Sequence, residues 1–470
     1  MNNSYKAVMA RRNDIMRKSV GINYDKYEQD YLSFDYEKMF SDCNISLSEI
    51  RKIQLANGVG NTPLKECKNI TKLVRKISRD GYGARIFIKD EALNDSGSFK
   101  ARRASISCYQ AKKLGYKGVI AATSGNYGAA VASQAAKYGL KCIIVQECYD
   151  SNGIGQPEII EKARACEAYG AEVVQLSVGP ELFYKFLLLL EETGYFNASL
   201  YTPYGILGIE SLGAELIEDS INLTGKEPDM VVVTNAGGGN LTGTARGIKK
   251  LSNKDIKIVG SSVNLKGLHM ASDTDFNKKS FTTGHTGFGI PFIMNPDRSD
   301  VPRSAARALR YIDRYVTVNQ GEVFFITESL AILEGIERGP AGNTSLAAAF
   351  SLAQELKKDQ IIIVQETEYT SAGKHHQAQL SFARKNGIDI HFGDPLTEIP
   401  GKSIVFPDNI RKIKAQDLNL EAIKKKYIYS HLEGYNKISK RDFEFLALET
   451  NSSAKFIKDI IQKKNIEVEE

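Results

Sequence analysis

Short apolar runs alternate with helix-like segments along the middle of the 470-residue chain, beginning near residue 84. The run "ARIFIKDE" precedes the helical pattern "ARRASISCYQAKKLG", and the runs "GVIAATS", "KCIIVQE" and "AEVVQL" are each followed by a segment that closes on glycine. Glycine is the usual residue just past the end of a helix. Buried strands that alternate with helices predict an α/β protein whose parallel sheets are covered by helices on both faces.

The same alternation resumes after residue 228 with the runs "DMVVVTNA", "IKIVGSSV" and "QIIIVQE". Residues 265–291 form a glycine-rich and polar stretch that is long enough to indicate a functional loop. A chain of this length is too long for one compact core. We therefore predict a two-lobed catalytic core over residues 51–394, with the smaller lobe at about 96–205.

The two ends of the chain differ from this core. Residues 1–50 are polar with interspersed Tyr and Phe, and residues 395–470 carry Lys-rich amphipathic segments such as "LEAIKKKYIYSHLEGY". We predict an N-terminal and a C-terminal helical extension. The apolar side chains of the second extension could pack on the chain itself, on a second copy or on a different subunit. These side chains are Tyr427, Tyr429, Leu432, Phe443, Phe445, Leu446, Phe456, Ile457 and Ile460.

Composition and charge exclude several classes of protein. The formal net charge of +6 is spread over both signs without a clustered basic face, which argues against a nucleic-acid binder. No run approaches the ~18 apolar residues of a membrane helix, and the N-terminus lacks a signal-peptide core, so we expect a cytoplasmic protein without a membrane partner. The six cysteines form no C-x-x-C pair and suggest free thiols, and the adjacent His375 and His376 do not suggest a metal site.

Three glycine-marked turns follow predicted strands, at the sheet edge where open α/β folds bind ligands. They are "NDSGSFKARR" (94–103) with Lys100, "TSGNYG" (123–128) and "NAGGGNLTG" (235–243). The third turn does not match a nucleotide fingerprint. Thr242 stands where G-x-G-x-x-G needs glycine, and Thr244 stands where a P-loop needs lysine.

One cofactor fits the three turns together. Glycines before a helix can bind a phosphate through backbone N–H groups, although the same pattern can be a plain tight turn. Lys100 alone would more often be a solvated helix lysine. Pyridoxal 5'-phosphate needs both features, because its aldehyde forms a Schiff base with an amine and its phosphate needs donors.

Five motifs, in order, resemble the fold-type II pyridoxal-phosphate enzymes, the family of threonine synthase and the tryptophan synthase β chain. They span roughly residues 55–370. The resemblance implies two open, twisted, mainly parallel sheets with the cofactor in the cleft between the lobes. The motifs are "GNTPL" (60–64), "GSFKAR" (97–102), "SGNYG" (124–128), "GGGN" (237–240) and "GPAGNTSLAAA" (339–349).

The resemblance also implies a role for each site residue. Lys100 would bind the cofactor covalently and then move protons on the substrate, and Asn126 would bind the phenolic oxygen of the cofactor. For the pyridine nitrogen, motif position favours Thr367 over the adjacent Glu366. The expected phosphate donors are the N–H groups of Gly237, Gly238, Gly239, Asn240 and Leu241. The substrate carboxylate is expected at Thr123, Ser124, Gly125 and Tyr127.

Outside the core, the extensions and the 265–291 stretch resemble those family members that are β subunits and transfer an acetyl group from an amino acid to coenzyme A. This implies a small α subunit as partner, coenzyme A and an amino acid as reactants, and a hetero-oligomer around a core homodimer. The core motifs fit two alternatives as well, a β-eliminating or β-replacing enzyme on a hydroxy- or diamino-acid and a non-catalytic cofactor-binding scaffold. An acetyl-cysteine route is also open, with Cys108 and Cys148 nearest the loops.

Overall fold

The computed structural model describes residues 2–123, 125–266, 278–284, 292–297, 300–369 and 376–469. The α-helices, in chain order, are α1 Tyr5–Ala10, α2 Arg12–Val20, α3 Tyr36–Asp42, α4 Leu47–Leu55, α5 Lys68–Arg75, α6 Lys100–Lys113, α7 Asn126–Lys137, α8 Pro157–Ala168, α9 Glu181–Thr193, α10 Pro203–Thr224, α11 Gly239–Leu251, α12 Gln320–Glu334, α13 Pro340–Leu352, α14 His376–Lys385, α15 Leu420–His431, α16 Lys440–Glu449 and α17 Ala454–Lys463.

The strands lie mostly in two sheets. They are β1 Leu64–Glu66, β2 Arg85–Asp90, β3 Gly118–Thr123, β4 Lys141–Tyr149, β5 Glu172–Ser177, β6 Phe196–Asn197, β7 Met230–Thr234, β8 Lys257–Val263, β9 Arg314–Val318, β10 Ile361–Glu366, β11 Asp389–Gly393, β12 Ser403–Pro407, β13 Gln416–Asp417, β14 Lys437–Ser439 and β15 Glu467–Glu469.

Both main sheets are parallel in their interior. The larger has the order β1-β2-β10-β7-β8-β9-β13, and only its edge strands β1 and β13 are antiparallel. The smaller has the order β5-β4-β3-β6 and is parallel throughout. Strand β10, "IIIVQE", is buried along its whole length, as expected for a strand covered on both faces. The predicted fold class is confirmed, whereas the lobe boundary at 96 and 205 stays a prediction.

Helix α10 escaped the pattern analysis because it is buried on nearly all sides and has no polar face to mark its period. It packs closely on α6, which begins within the lysine turn (94–103), and on α11, which begins within the glycine turn (235–243). A Cβ on Gly208 would lie 2.1 Å from the carbonyl oxygen of Arg102 in α6. A Cβ on Gly213 would lie 2.1 Å from the carbonyl oxygen of Thr244 in α11. Small residues thus let one central helix position both α6 and α11.

The terminal extensions are attached to each other and to the core. The Asp442 carboxylate in α16 accepts hydrogen bonds from the backbone N–H groups of Leu32 and Ser33, both at 2.8 Å. The Glu37 carboxylate in α3 accepts a hydrogen bond from Arg246 Nη1 in α11 at 2.8 Å. The C-terminal extension also contains short strands, and β13 adds to the large sheet beside β9. Strands of two or three residues are too short to show a period, so the prediction of helices alone was incomplete.

The apolar side chains of the C-terminal extension pack within this chain. Tyr427, Leu432, Leu446, Ile457 and Ile460 are buried in one cluster with side chains of α10, α11 and the large sheet. The remaining four of the set predicted above are buried or half-buried. Of the three alternatives left open above, packing on the chain itself is the one that the structure shows for the buried members of the set.

The described residues contain neither a membrane-spanning helix nor a cluster of metal ligands, and their cysteines are unpaired. No helix there is both long and apolar enough to cross a membrane. In the same residues, no group of three or more His, Cys, Asp and Glu side chains is placed to hold a metal ion. All six cysteines are free thiols, and five of them are buried.

Candidate functional site

A cavity of about 160 Å³ lies at the carboxyl ends of strands from both sheets. Thr123 ends β3 of the small sheet, Thr234 ends β7 of the large sheet, and Thr367 directly follows β10. This is the edge at which open α/β sheets bind ligands. The lining residues are Phe99, Lys100, Arg103, Thr123, Gly125, Asn126, Tyr127, Lys162, Leu200, Tyr201, Thr234, Ala236, Gly237, Gly238, Gly239, Asn240, Thr283, Phe292, Ala341, Thr367 and Glu368.

Lys100 is the first residue of α6 and lies on the cavity wall. The turn that carries it is tied to the segment after β10. The Phe99 N–H donates to the Thr367 carbonyl oxygen at 3.1 Å, and the Tyr369 N–H donates to the Gly97 carbonyl oxygen at 2.8 Å. Gly97 has a φ of +72°, a conformation that favours glycine. The position of Lys100 is therefore set by backbone hydrogen bonds to the segment that follows β10 of the large sheet.

The three glycines of the 235–243 turn leave backbone exposed to the cavity. A Cβ on Gly237 would lie 2.3 Å from the Tyr201 hydroxyl, and a Cβ on Gly239 would lie 2.3 Å from the Arg103 guanidinium. Gly238, with a φ of +81°, precedes the first residue of α11. No side chain fits here, so N–H groups and a helix N-terminus border the cavity, an arrangement suited to a phosphate.

Two residues predicted for the same turn are only partly available to a ligand. Asn240 lines the cavity, but its side-chain Nδ2 donates to Gln365 Oε1 at 2.7 Å. Leu241 is fully buried in the apolar core and does not line the cavity. The backbone N–H of Asn240 is therefore the group that can serve a phosphate, whereas a phosphate contact by Leu241 stays a prediction.

The turn after β3 begins α7 and carries Asn126. The Asn126 amide donates to the Glu368 carboxylate, and Thr123 Oγ1 accepts from the Gly125 N–H at 3.0 Å. The Tyr127 hydroxyl donates to the Ala198 carbonyl oxygen at 2.6 Å and is buried. Tyr127 can therefore serve a ligand through its backbone. Ser124, also predicted here, lies outside the described residues.

Thr367 and Glu366 occupy different environments. Thr367 lines the cavity, whereas Glu366 is fully buried and does not. Both carboxylate oxygens of Glu366 are without a hydrogen-bond partner among the described residues. Burial, together with the nearby Glu368, raises the pKa of Glu366 well above its usual range, so we expect a neutral acid. A hydroxyl, and not this carboxylate, is available at the cavity wall.

Three charged side chains of the cavity are not among the residues predicted from the sequence: Arg103, Lys162 and Glu368. Lys162 forms an ion pair with Glu158, and its Nζ lies 3.9 Å from a Glu368 oxygen. Arg103 could have been found, because it stands one helical turn after Lys100 on the same face. Glu368 directly follows Thr367 and could also have been found from the same segment, whereas Lys162 reaches the cavity from α8, which no motif marks.

Cys108 and Cys148, the cysteines nearest the loops in sequence, do not line the cavity. Both are buried, and burial raises the pKa of both thiols, that of Cys148 to about 12. Since the thiolate is the nucleophile, neither residue is suited to accept an acyl group.

A buried charge network holds α6 just beyond Lys100. Arg102 Nε lies 2.7 Å from Glu91, and its Nη2 lies 2.7 Å from Glu215. Lys89 Nζ lies 2.8 Å from the same Glu215 carboxylate. Burial opposes ionisation of Glu215, but the two cations hold its pKa well below the usual range. The network fixes the register of α6 relative to β2 and α10.

The residues on the cavity wall fit a phosphorylated aldehyde. An amine for the aldehyde, a glycine turn at a helix start for the phosphate, and a hydroxyl and an amide for the ring face the same space. These are the group types that bind pyridoxal phosphate in proteins. The glycine contacts given above show that the turn has room for backbone donors and none for side chains.

Comparison with known proteins agrees with this geometry. The family described as "Pyridoxal-phosphate dependent enzyme" matches residues 55–366. A relative from Acetoanaerobium sticklandii, named "2-amino-4-ketopentanoate thiolase beta subunit", is 66% identical over 98% of both chains. A protein of the same name from an unknown prokaryotic organism is 61% identical, again over 98% of both chains.

Solved structures share the fold. A cysteine synthase from Entamoeba histolytica superposes with a TM-score of 0.54 at 21% identity, over 69% of this chain and 88% of that chain. The chain thus belongs to the pyridoxal-phosphate dependent enzyme family of fold type II and, within it, to the group of 2-amino-4-ketopentanoate thiolase beta subunits.

Proposed function

We propose that this chain is the cofactor-binding subunit of a thiolase that converts 2-amino-4-oxopentanoate and coenzyme A to alanine and acetyl-coenzyme A in ornithine degradation. The observation that carries the proposal is the 66% identity, over 98% of both chains, to a protein with that activity in its name. The free thiols suggest a reducing compartment, and we place the reaction in the cytoplasm.

Four groups of this chain would hold the cofactor. Lys100 Nζ would bind its aldehyde carbon, the glycine turn its phosphate, Asn126 its phenolic oxygen and Thr367 its pyridine nitrogen. When bound, pyridoxal phosphate supplies an electron sink for negative charge on the amino-acid substrate. The hydroxyl of Thr367 would leave the pyridine nitrogen uncharged, whereas an ionised carboxylate would hold it charged.

The substrate carboxylate fits the start of α7. Thr123 and Gly125 line the cavity there, and Asn126 and Tyr127 present the first N–H groups of the helix. N–H groups at a helix start favour an anion. We propose that this end of α7 orients the amino acid so that its α carbon faces Lys100.

Lys100 is also the group we assign to proton movement. The overall reaction breaks the bond between C3 and C4 of the substrate, transfers the acetyl group to the sulfur of coenzyme A and places a proton on C3, which becomes the methyl carbon of alanine. An amine on the cavity wall can carry protons at the α carbon and at C3. Exclusion of water would let the thiol, and not hydroxide, take the acetyl group.

The name "beta subunit" of the curated relatives implies an alpha partner. We propose a small α subunit that binds to this chain and completes the coenzyme A site, with a homodimer of this chain at the centre of the assembly. Most of the C-terminal apolar residues are already buried in this chain, so we expect the partner to bind another surface.

The test of the proposed function is an acetyl-coenzyme A assay on purified chain with pyridoxal phosphate, 2-amino-4-oxopentanoate and coenzyme A. We expect cofactor binding by the chain alone and thiolase turnover only when the α subunit is added. Full turnover by the chain alone would remove the partner requirement. Ammonia release from serine or a diamino acid without coenzyme A would favour a β-eliminating enzyme.

Replacing Gly238 with valine should weaken pyridoxal phosphate binding by about tenfold or more, since one charge-assisted hydrogen bond is worth ~1.5–3 kcal/mol. A Cβ at this position would lie 3.0 Å from the Ala308 Cβ and would displace the turn. The φ of +81° adds strain of its own. The dissociation constant can be measured from cofactor absorbance.

Gly225→Val is the matched control for that strain. Gly225 ends α10 with a φ of +77°, and a Cβ there meets nothing within 4 Å. Both variants should lose stability, but only Gly238→Val should lose cofactor affinity. Equal affinity in the two variants would place the phosphate outside this turn.

Cys108→Ala and Cys148→Ala should each retain thiolase turnover. Their thiols are buried away from the cavity wall, and their raised pKa values disfavour the thiolate. The measurement is the steady-state rate with the α subunit present. Loss of acetyl transfer in either variant, with cofactor binding intact, would point to an acetyl-cysteine route.

A further inference from the structure

Arg103 is a buried cation on the cavity wall, one helical turn after Lys100. Its side chain is only 3% exposed. Its Nη1 donates to the Leu200 carbonyl oxygen at 3.3 Å, and its Nε has no hydrogen-bond partner among the described residues. The guanidinium carbon lies 5.7 Å from the centroid of the Phe99 ring, so an aromatic face covers one side of the group.

The residues that the structure describes supply Arg103 with no carboxylate partner, in contrast to its neighbour Arg102, which pairs with Glu91 and Glu215. Burial lowers the pKa of the Arg103 guanidinium to about 10, and the group remains charged at neutral pH. A buried charge without a counter-ion destabilises a fold. The energetic cost of burying this charge is therefore not offset by an ion pair with any of the described residues.

The position of the guanidinium increases the free-energy cost of burying its charge. Its terminal nitrogens lie against Gly239, the first residue of α11, at 2.3–3.1 Å from the point that a Cβ would occupy. The N-terminus of a helix carries a partial positive charge, and cations are unfavourable there. Two positive groups thus meet at the glycine turn, and an anion bound beside both would stabilise them.

We propose that Arg103 is the counter-ion of the cofactor phosphate and forms a charge-assisted contact beside the glycine turn. The backbone N–H groups of the glycine turn donate directional hydrogen bonds to the phosphate. The guanidinium adds a full positive charge, which these N–H groups do not have. A guanidinium suits this task because its planar donors can bind two phosphate oxygens at once. The inference rests on cofactor binding by this chain and not on the identity of the acyl acceptor.

Replacing Arg103 should weaken binding of the cofactor phosphate but should not destabilise the cofactor-free protein. In Arg103→Met, the preference for pyridoxal phosphate over pyridoxal should fall about 10- to 100-fold, because a charge-assisted contact to the phosphate is lost. The melting temperature of the cofactor-free variant should be equal to or above that of the cofactor-free wild type, because an unpaired buried charge is removed. Arg103→Lys should retain part of the phosphate preference.

Arg246→Met is the matched control. Arg246 is also a buried arginine and lies on α11, but it pairs with Glu210 and Glu37. Its replacement should lower the melting temperature of the cofactor-free protein and leave the preference for pyridoxal phosphate over pyridoxal unchanged. The two arginines thus separate a structural ion pair from a ligand contact.

The experiment measures dissociation constants for pyridoxal phosphate and pyridoxal, and melting temperatures without cofactor, for the wild type and all three variants. No coenzyme A or α subunit is needed, so failure of the proposed thiolase function would not alter the result. An unchanged phosphate preference in Arg103→Met would overturn the proposal. A further titration of the cofactor-loaded proteins with the amino-acid substrate covers one such case: weaker amino-acid binding in Arg103→Met, with the phosphate preference unchanged, would assign Arg103 to the substrate carboxylate instead.

Inorganic phosphate gives a second test if Arg103→Met does not fold. At matched ionic strength, phosphate should raise the melting temperature of the cofactor-free wild type, because an anion that binds the folded state stabilises it. The rise should be smaller in Arg103→Lys. An equal rise in both proteins, or none in the wild type, would contradict the proposal.

Discussion

Replacing Lys100 with alanine should reduce thiolase turnover by at least about 10³-fold, because one amine both holds the cofactor and moves protons. Lys100 is the first residue of α6 and lies on the cavity wall beside the glycine turn. The variant should also lose the absorbance of the lysine-bound cofactor. Borohydride reduction of the wild type should leave a pyridoxyl group on the peptide that contains Lys100.

Lys113→Ala is the control for this prediction, because Lys113 is an exposed lysine at the other end of the same helix. It should retain turnover, absorbance and labelling. A pyridoxyl group on any other lysine, or lysine-bound cofactor in Lys100→Ala, would show that a different amine binds the cofactor.

Replacing Arg102 with methionine should lower the free energy of unfolding by about 3–5 kcal/mol, the usual cost of removing one partner from a buried ion pair. Glu91 loses its cation, and Glu215 keeps only Lys89. The measurement is denaturant unfolding of the cofactor-free protein. An effect under ~1 kcal/mol would mean that the buried carboxylates are neutral or solvated.

The loss of unfolding free energy in Arg102→Met should become smaller as the pH falls. The folded-state pKa of Glu215 lies below its ordinary value of 4.5, so its contribution to stability is present at neutral pH and is lost as the pH falls below that value. The difference between wild type and Arg102→Met should therefore be widest at neutral pH and narrow on acidification. A difference that does not change between pH 7 and acidic pH would argue against ion pairing as its cause.

Arg314→Met is the matched control for stability. Arg314 lies 2.6 Å from both Glu355 and Asp417, but these carboxylates are about half exposed. Pairs in contact with water contribute little, so this replacement should cost less than ~1 kcal/mol. The contrast between the two arginines tests whether burial sets the cost.

The regular middle of the chain could be predicted from local pattern. The strands β2, β3, β4 and β5 and the helices α6 to α9 lie within a few residues of the runs that predict them. β-branched runs favour strands and glycine marks helix ends, and both signals are local in sequence. Helix α10 and the short strands of the C-terminal extension have no such signal. Most of α10 is buried, so it lacks a polar face, and the strands are too short to show a period.

The candidate site likewise contains residues that short motifs predict and contacts that only the tertiary structure shows. Lys100, Asn126 and the glycines stand in short motifs, because close approach of a ligand to backbone and a fixed amine each need particular residue types in a few adjacent positions. Glu368 contacts Asn126 across 242 positions of sequence. In the sequence, Arg102 and Arg103 are simply two adjacent arginines. Only the structure shows that Arg102 pairs with carboxylates, whereas Arg103 has no carboxylate partner among the described residues.

The sequence by itself determined the α/β class, the order of the strands and helices at the core, the lysine and glycine motifs and the cofactor that these motifs fit. Only the tertiary structure decided that Thr367 faces the cavity while Glu366 is buried, that the C-terminal apolar residues pack on their own chain, and that Arg103 stands against Gly239. The physical reason is that motifs depend on backbone geometry within a few residues. Burial and charge pairing depend instead on which distant elements meet, and that is settled when the two sheets and α10 pack together.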